Sequence, residues 1–176
     1  LKKFSPKDIF LDIGANVGTY SLPALSKGSY VIAAELDPKN SSILFENVHL
    51  NNYHNQFILL PFGIGSKDKT EIVYYRDFSE GDSLQSINRP SPIPHITRES
   101  FSTKQVVFSL DSIIEKFDLP QPNKIKIDVD GNEKMVFEGG FKTILNSKEI
   151  YLEDNGLDEN KPIIKKILEN GFKIEN

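Results

Sequence analysis

Apolar runs of strand length alternate along this chain with segments of helical period, and that alternation admits few folds other than a parallel sheet covered by helices on both faces. Residues 9–13 read as a first buried strand; a glycine-bearing loop, Gly14 to Gly18, then opens a helix that stops near Gly28 and is kinked or shortened by Pro23. Residues 30–36 form a second strand. Asp37-Pro38 starts a helix to about Asn52, with the Asp capping free amides and the Pro in the first turn. Residues 56–60 are a third strand, and 70–76 alternate in the manner of an added edge or hairpin strand. The polar stretch 77–104, with prolines at 90, 92 and 94, has the length of a lid or a disordered segment. Beyond it lie a strand at 106–108, a short helix at 111–117 and a strand at 124–129 that delivers Asp128, Asp130 and Gly131 at its end. A helix over 131–146 broken at Gly139-Gly140, a strand at 149–153, a helix over 162–170 and the start of a last strand at Gly171-Phe172 complete the pattern. The expected class is α/β: a doubly wound, mainly parallel sheet with an added β-hairpin.

At 176 residues, 38% hydrophobic and 26% charged, the chain has the length and composition of one soluble, core-forming domain, so 1–176 is expected to fold as a single unit. The chain has no Cys, which removes disulfides, thiolate metal sites and cysteine nucleophiles, leaves stability to the hydrophobic core and makes a cytoplasmic setting the default. Lys+Arg number 21 against 25 Asp+Glu, and this net charge of −4 gives no electrostatic reason to expect nucleic acid as a partner. The longest apolar stretch, 57–64, carries Pro61 and Gly63 and is far too short for a bilayer. No signal-peptide pattern precedes the first strand. The start at Leu1 rather than Met is expected of a fragment or processed product, and folds of this type usually finish with one more antiparallel strand.

The loop Asp12-Ile13-Gly14-Ala15-Asn16-Val17-Gly18 joins a strand to a helix start, where glycines let the backbone approach a ligand and helix amides are unpaired. A dinucleotide loop, G-x-G-x-x-G, is the obvious rival, and with it an NAD-dependent oxidoreductase. Here Asp12 and Asn16 stand where two phosphates would lie; a carboxylate repels a diphosphate but accepts hydrogen bonds from an ammonium group. Seventeen residues after Gly18, Glu35 ends the second strand and can accept both hydroxyls of a ribose. Taken singly, Asp12 reads equally as a loop-stabilising residue and Glu35 as a solvated strand-end acid. Taken together, they favour a ligand with an amino-acid end, a ribose and no phosphate, which is the description of S-adenosylmethionine.

The D-x-G-x-N-x-G loop with Glu35 resembles the first two motifs of Rossmann-like methyltransferases. Leu110-Asp111-Ser112-Ile113-Ile114, followed by Ile125-Lys126-Ile127-Asp128-Val129-Asp130-Gly131-Asn132-Glu133 and Gly139, is similar to the L-D plus I-K-x-D-V-E-G-x-E block of the FkbM-type methyltransferases. Asp130 stands where that family usually shows Glu, and Asn132 where a small residue is usual. The resemblance spans residues 9 to about 153. It implies methyl transfer from S-adenosylmethionine to a hydroxyl oxygen of a sugar, glycan or secondary metabolite. It also implies that Asp12, Gly14, Ala15, Asn16 and Gly18 surround the methionine part and Glu35 the ribose, with the adenine near Leu36, Asp37, Phe62 and Gly63. Gly81-Asp82-Ser83-Leu84 resembles that family's Ser-containing loop over the cofactor, which places Ser83 there.

Methyl transfer is an in-line displacement, so alignment is the protein's main task; a carboxylate that takes the acceptor's proton adds roughly 10²- to 10⁴-fold. Asp128, Asp130 and Glu153 all fall at carboxyl ends of strands, where ligands of doubly wound sheets bind, and are the candidate bases; Asp128 also borders the cofactor. Lys126 shares a face with Asp128 and either pairs with it or orients the acceptor or acid. The lesser alternative for Asp128 is a partner for Lys126 or a cap for the next helix. His95 reaches the site only if its loop folds over it, and His49 and His54 read as surface residues. No metal is expected; the alternative is Asp128 with Asp154 and Asn155 as hard oxygen ligands, against which Asp154-Asn155-Gly156 is also an ordinary turn. A further alternative is a module that binds the cofactor without catalysing transfer.

Overall fold

The computed structural model describes residues 3–75, 81, 85–87, 101–153 and 161–174. Five strands, β1 (Ile9–Ile13), β2 (Tyr30–Ala34), β3 (Phe57–Leu60), β8 (Lys124–Ile127) and β9 (Glu149–Leu152), make a fully parallel sheet in the order β3-β2-β1-β8-β9. These strands read as apolar runs because both faces of the inner ones are covered. Leu11, Ile13, Ile32, Ala34, Ile125 and Ile127 face one side with Leu110, Val136 and Ile144. Phe10, Val31 and Ala33 face the other with Leu25, Leu44 and Val48.

The layers are α1 (Ser21–Ser26), α2 (Pro38–Leu50), α3 (Leu110–Lys116), α4 (Glu133–Gly139), α5 (Phe141–Leu145) and α6 (Lys161–Glu169). α1 is short, as expected: it begins only three residues beyond Gly18 and runs for 6 residues, with Pro23 in its first turn, where proline is tolerated. α2 starts as its sequence requires: Asp37 Oδ1 accepts from the amides of Lys39 (2.8 Å) and Asn40 (3.1 Å), with Pro38 in the first turn. α4 ends at Gly139 and α5 follows Gly140, at the expected break; Gly139 must lack a side chain because a Cβ there would lie 1.9 Å from the carbonyl oxygen of Gly65.

The expected hairpin is in fact a second sheet. β4 (Gly63–Gly65), β5 (Lys69–Tyr75), β6 (Ser86–Ile87) and β7 (Phe101–Ser109) pair in the order β4-β7-β5-β6, with β7 antiparallel to β5 from Phe101 onward. The strand expected at 106–108 therefore starts five residues earlier, inside the stretch read as a loop; its polar residues 102–105 are exposed or half-buried and pair with β5, while β4 pairs only with 107–109. The last strand expected at Gly171-Phe172 does not form: residues 172–174 lie outside regular structure. Among the described residues no helix is long and apolar enough to cross a membrane.

Strand order reverses between β1 and β8, and a crevice opens beyond their carboxyl ends at that point. It gathers Gly14 and Asn16 after β1, Glu35 and Leu36 after β2, Phe62 after β3 and Asp128 to Asn132 after β8.

Candidate active site

Two backbones touch at the floor of the crevice. Gly14 has φ +79° and a Cβ there would sit 1.8 Å from the carbonyl oxygen of Asp128, so only glycine lets the loops after β1 and β8 meet. Asn16 also adopts a left-handed conformation, φ 50°, which Asn tolerates better than most residues. This turn aims the Asn16 amide at Glu35, donating to Oε2 at 2.7 Å; the Asp37 amide donates to Oε1 at 2.8 Å. Each carboxylate oxygen keeps acceptor capacity beyond its one amide. Glu35 is 5% exposed and lines the cleft. Burial pushes its carboxyl up to about 7 against the two amide hydrogen bonds, and the charges of Asp37 and Asp12 add to the rise.

Asp12 does not reach the cleft. It is wholly buried on β1, accepts from Ser21 Oγ at 2.7 Å and pairs with Lys126 Nζ at 3.4 Å, its register partner on β8. Its expected contact with a ligand ammonium is corrected: the residue that answers its charge is Lys126. Burial raises the Asp12 carboxyl, and Lys126 opposes that rise. Lys126 Nζ also lies 2.9 Å from Asp128 Oδ2, donates to the Gly14 carbonyl at 3.2 Å and sits 5.0 Å over the Tyr20 ring. Desolvation pulls this ammonium down, but the two carboxylates outweigh it, so it is held charged.

Asp128, Asp130 and Glu153 converge, with one carboxylate oxygen of each within 4.8 Å of the others. Glu153 holds its proton up to about 7, through its hydrogen bond with Asp128 first, then partial burial and the charges of Asp128, Asp130 and Glu133. This triad could hold a divalent ion through oxygen ligands, a set that differs from the one expected; Asp154, Asn155, Ser83 and His95 lie outside the described residues.

Gly14, Asn16, Leu36, Phe62 and Gly63 line the cleft, which is open to solvent on one side. Three expected contacts fall elsewhere. Ala15 is buried in the core among Phe10 and Leu44, and Gly18 packs on α2, where a Cβ would lie 2.8 Å from Leu44 Cδ1. Asp37 caps α2 and, through Oδ2, accepts from Gln85 Nε2 at 3.4 Å.

Of the loop expected over the cofactor, 81–84, Gly81 alone is described and helps to roof the cleft; the parts sequence reasoning missed are Gln85, Ile87 and the contacts that anchor them. Gly81 donates its amide to Asn40 Oδ1 (2.9 Å) and accepts from Asn16 Nδ2 (3.2 Å), while the Ile87 amide donates to Asn132 Oδ1 (3.3 Å). Gln85 and Ile87 thereby become walls of the cleft. A signal for these was Asn132 standing where a small residue is usual: its carboxamide also donates to the Val129 carbonyl and so ties β6 to the loop after β8.

The family model described as "Methyltransferase FkbM domain" matches residues 12–174. The hexuronic acid methyltransferase AglP of Haloferax volcanii is 26% identical over 179 residues, covering 99% of this chain and 67% of that protein. A tRNA (guanine(37)-N(1))-methyltransferase of Batrachochytrium dendrobatidis is 31% identical over 100 residues, 56% of this chain and 18% of the relative. Among solved structures, Methyltransferase FkbM from Methylobacillus flagellatus superposes with a TM-score of 0.63 at 20% identity, over 96% of this chain and 39% of that one. The precorrin-6y C5,15-methyltransferase of Geobacter metallireducens does so with a TM-score of 0.57 at 14% identity, over 99% of this chain and 68% of its own. These two structures share the fold of the parallel sheet and its helices.

Proposed function

Because the chain belongs to the FkbM methyltransferase family, we propose that it takes a methyl group from S-adenosylmethionine and places it on a hydroxyl oxygen of a sugar or related acceptor. The observation that carries the cofactor half is Glu35: a buried carboxylate facing the cleft, pinned by two backbone amides, with lone pairs left for two vicinal hydroxyls. Gly14 keeps the floor open to a ligand's close approach. The sugar half is supported by AglP, whose name specifies a hexuronic acid.

When bound, S-adenosylmethionine supplies a methyl carbon activated by its sulfonium. Asp128 lines the cleft beside the floor glycine, where its carboxylate would take the proton of an acceptor hydroxyl that the cofactor methylates. Lys126 fixes Asp128 in place at 2.9 Å and is itself anchored on Asp12. Glu153, protonated to about pH 7, donates to Asp128 and lessens repulsion in the acidic triad. With Lys126 and this proton offsetting the negative charge, the triad acts without a metal ion in our reading. Calorimetric titration separates the readings: S-adenosylhomocysteine should bind and NAD should not. Tight binding without methyl transfer to any hydroxylated sugar would instead favour a cofactor-binding module.

A further inference from the structure

An asparagine immediately before a helix ordinarily caps it, its side-chain oxygen accepting from the free amides of the first turn. Asn132 stands in that place before α4 and does not: its side chain makes no capping hydrogen bond, while its backbone carbonyl accepts from Met135 and Val136. The carboxamide is used across the cleft wall instead. Nδ2 donates to the Val129 carbonyl at 2.9 Å, and Oδ1 accepts from the Ile87 amide at 3.3 Å. A carbonyl only accepts and a backbone amide only donates, so the two contacts together fix one orientation of the group. Asn132 lines the cleft and is 4% exposed, so either contact is costly to lose without replacement.

Ile87 has need of this anchor. It ends β6, a two-residue strand at the margin of its sheet that pairs with β5 at Val73 and Tyr74. Its buried side chain makes the cleft wall with Leu36: a Cβ on Gly63 would lie 3.1 Å from Leu36 Cδ1 and 3.6 Å from Ile87 Cδ1. A wall carried on so short a ladder opens locally at little cost unless a further bond holds it. We propose that Asn132 is a positioning residue for the nucleoside: it holds Ile87 closed over the ligand by joining β6 to the loop after β8, and bound cofactor leaves when that bond breaks. The inference rests on the S-adenosylmethionine reading.

The test uses the full chain with S-adenosylhomocysteine. Hydrogen exchange of the Ile87 amide is followed by NMR in the free protein, and release of radiolabelled S-adenosylhomocysteine is timed after a chase with excess unlabelled ligand. Asn132→Ala and Asn132→Ser remove the carboxamide and keep the backbone contacts to α4; folding of each is checked by circular dichroism. Each should speed exchange at Ile87 about tenfold with no change along β1, and should release the ligand about three- to tenfold faster at a similar association rate, the scale of one hydrogen bond. A role confined to stability would instead speed exchange along β1 as well and leave release unchanged, which overturns the assignment. Ile87 exchange or ligand release at the parent rate in a folded variant also overturns it and leaves the cofactor reading intact. A parent protein that does not bind S-adenosylhomocysteine overturns the cofactor reading and this inference together.

Discussion

Asp12 and Lys126, register partners on adjacent parallel strands, face each other across 3.4 Å with side chains 0% and 7% exposed. The acid at the end of β1 therefore belongs to the interior rather than to a ligand. Removing Asp12 takes from Lys126 one of its two carboxylate partners, Asp128 at 2.9 Å remaining, and leaves Ser21 Oγ without its buried acceptor, at about 1–3 kcal/mol, less than a fully orphaned buried charge costs. Asp12→Ala should lower stability on that scale in urea titration. An unchanged unfolding midpoint would show the pair to be dispensable.

Asp128→Asn keeps shape and a hydrogen-bonding group but cannot take a proton. S-adenosylhomocysteine affinity should change by less than about threefold while methyl transfer slows roughly 10²- to 10⁴-fold. A variant that transfers at the parent rate would place the base elsewhere, with Glu153 next to be tested.

Glu35 predicts a pH dependence. Its carboxyl titrates near 7, and the ionised form accepts from both ribose hydroxyls, so affinity should be full above 7 and fall as the group protonates, by about tenfold per unit well below 7. Because the folded value exceeds the ordinary 4.5, the folded state binds the extra proton between 4.5 and 7, and this group's contribution to stability declines as pH rises through that window. Glu35→Gln should weaken binding and flatten its dependence on pH, measured by titration from pH 5.5 to 8.5. A profile as steep in the variant as in the parent would assign the effect to another group.

Gly14→Ala introduces a methyl group 1.8 Å from the Asp128 carbonyl oxygen at a φ of +79°. The loops after β1 and β8 must separate, and S-adenosylhomocysteine binding should be lost or fall at least about a hundredfold, since remodelling a close-packed contact costs several kcal/mol. Near-normal affinity in calorimetry would mean that the floor is not where the ligand lies.

Methyl transfer should survive EDTA, because Lys126 and the Glu153 proton already offset charge in the triad. Activity abolished by EDTA and restored by Mg²⁺ would assign Asp128, Asp130 and Glu153 to an ion instead.

The strands of the parallel sheet were legible because burial on both faces leaves continuous apolar runs such as Ile9–Ile13, and Asp37-Pro38 announced α2 through capping chemistry alone. Glu35 was legible for the same reason, since its place follows from strand length and topology. Asp12 was misread because sequence gives its distance from the glycines but not the face of β1 it occupies; strand alternation puts it with Phe10, under α1, opposite Lys126. The 81–84 loop was legible over the cleft from the resemblance, but its anchors, Asn16 to Gly81 and Asn132 to Ile87, were not, because they join residues 65 and 45 positions apart and no local period encodes a contact at that range. β7 was shortened because its first residues, 101–104, are all exposed and 102–105 are all polar, a run that imitates a loop.

The most direct measurement is a crystal structure with S-adenosylhomocysteine. Both ribose hydroxyls should lie about 2.6–3.0 Å from the two carboxylate oxygens of Glu35, with the sulfur turned toward Asp128. A nucleoside bound away from the crevice, or a ribose whose hydroxyls leave Glu35 untouched, would contradict the proposed methyl transfer at this site.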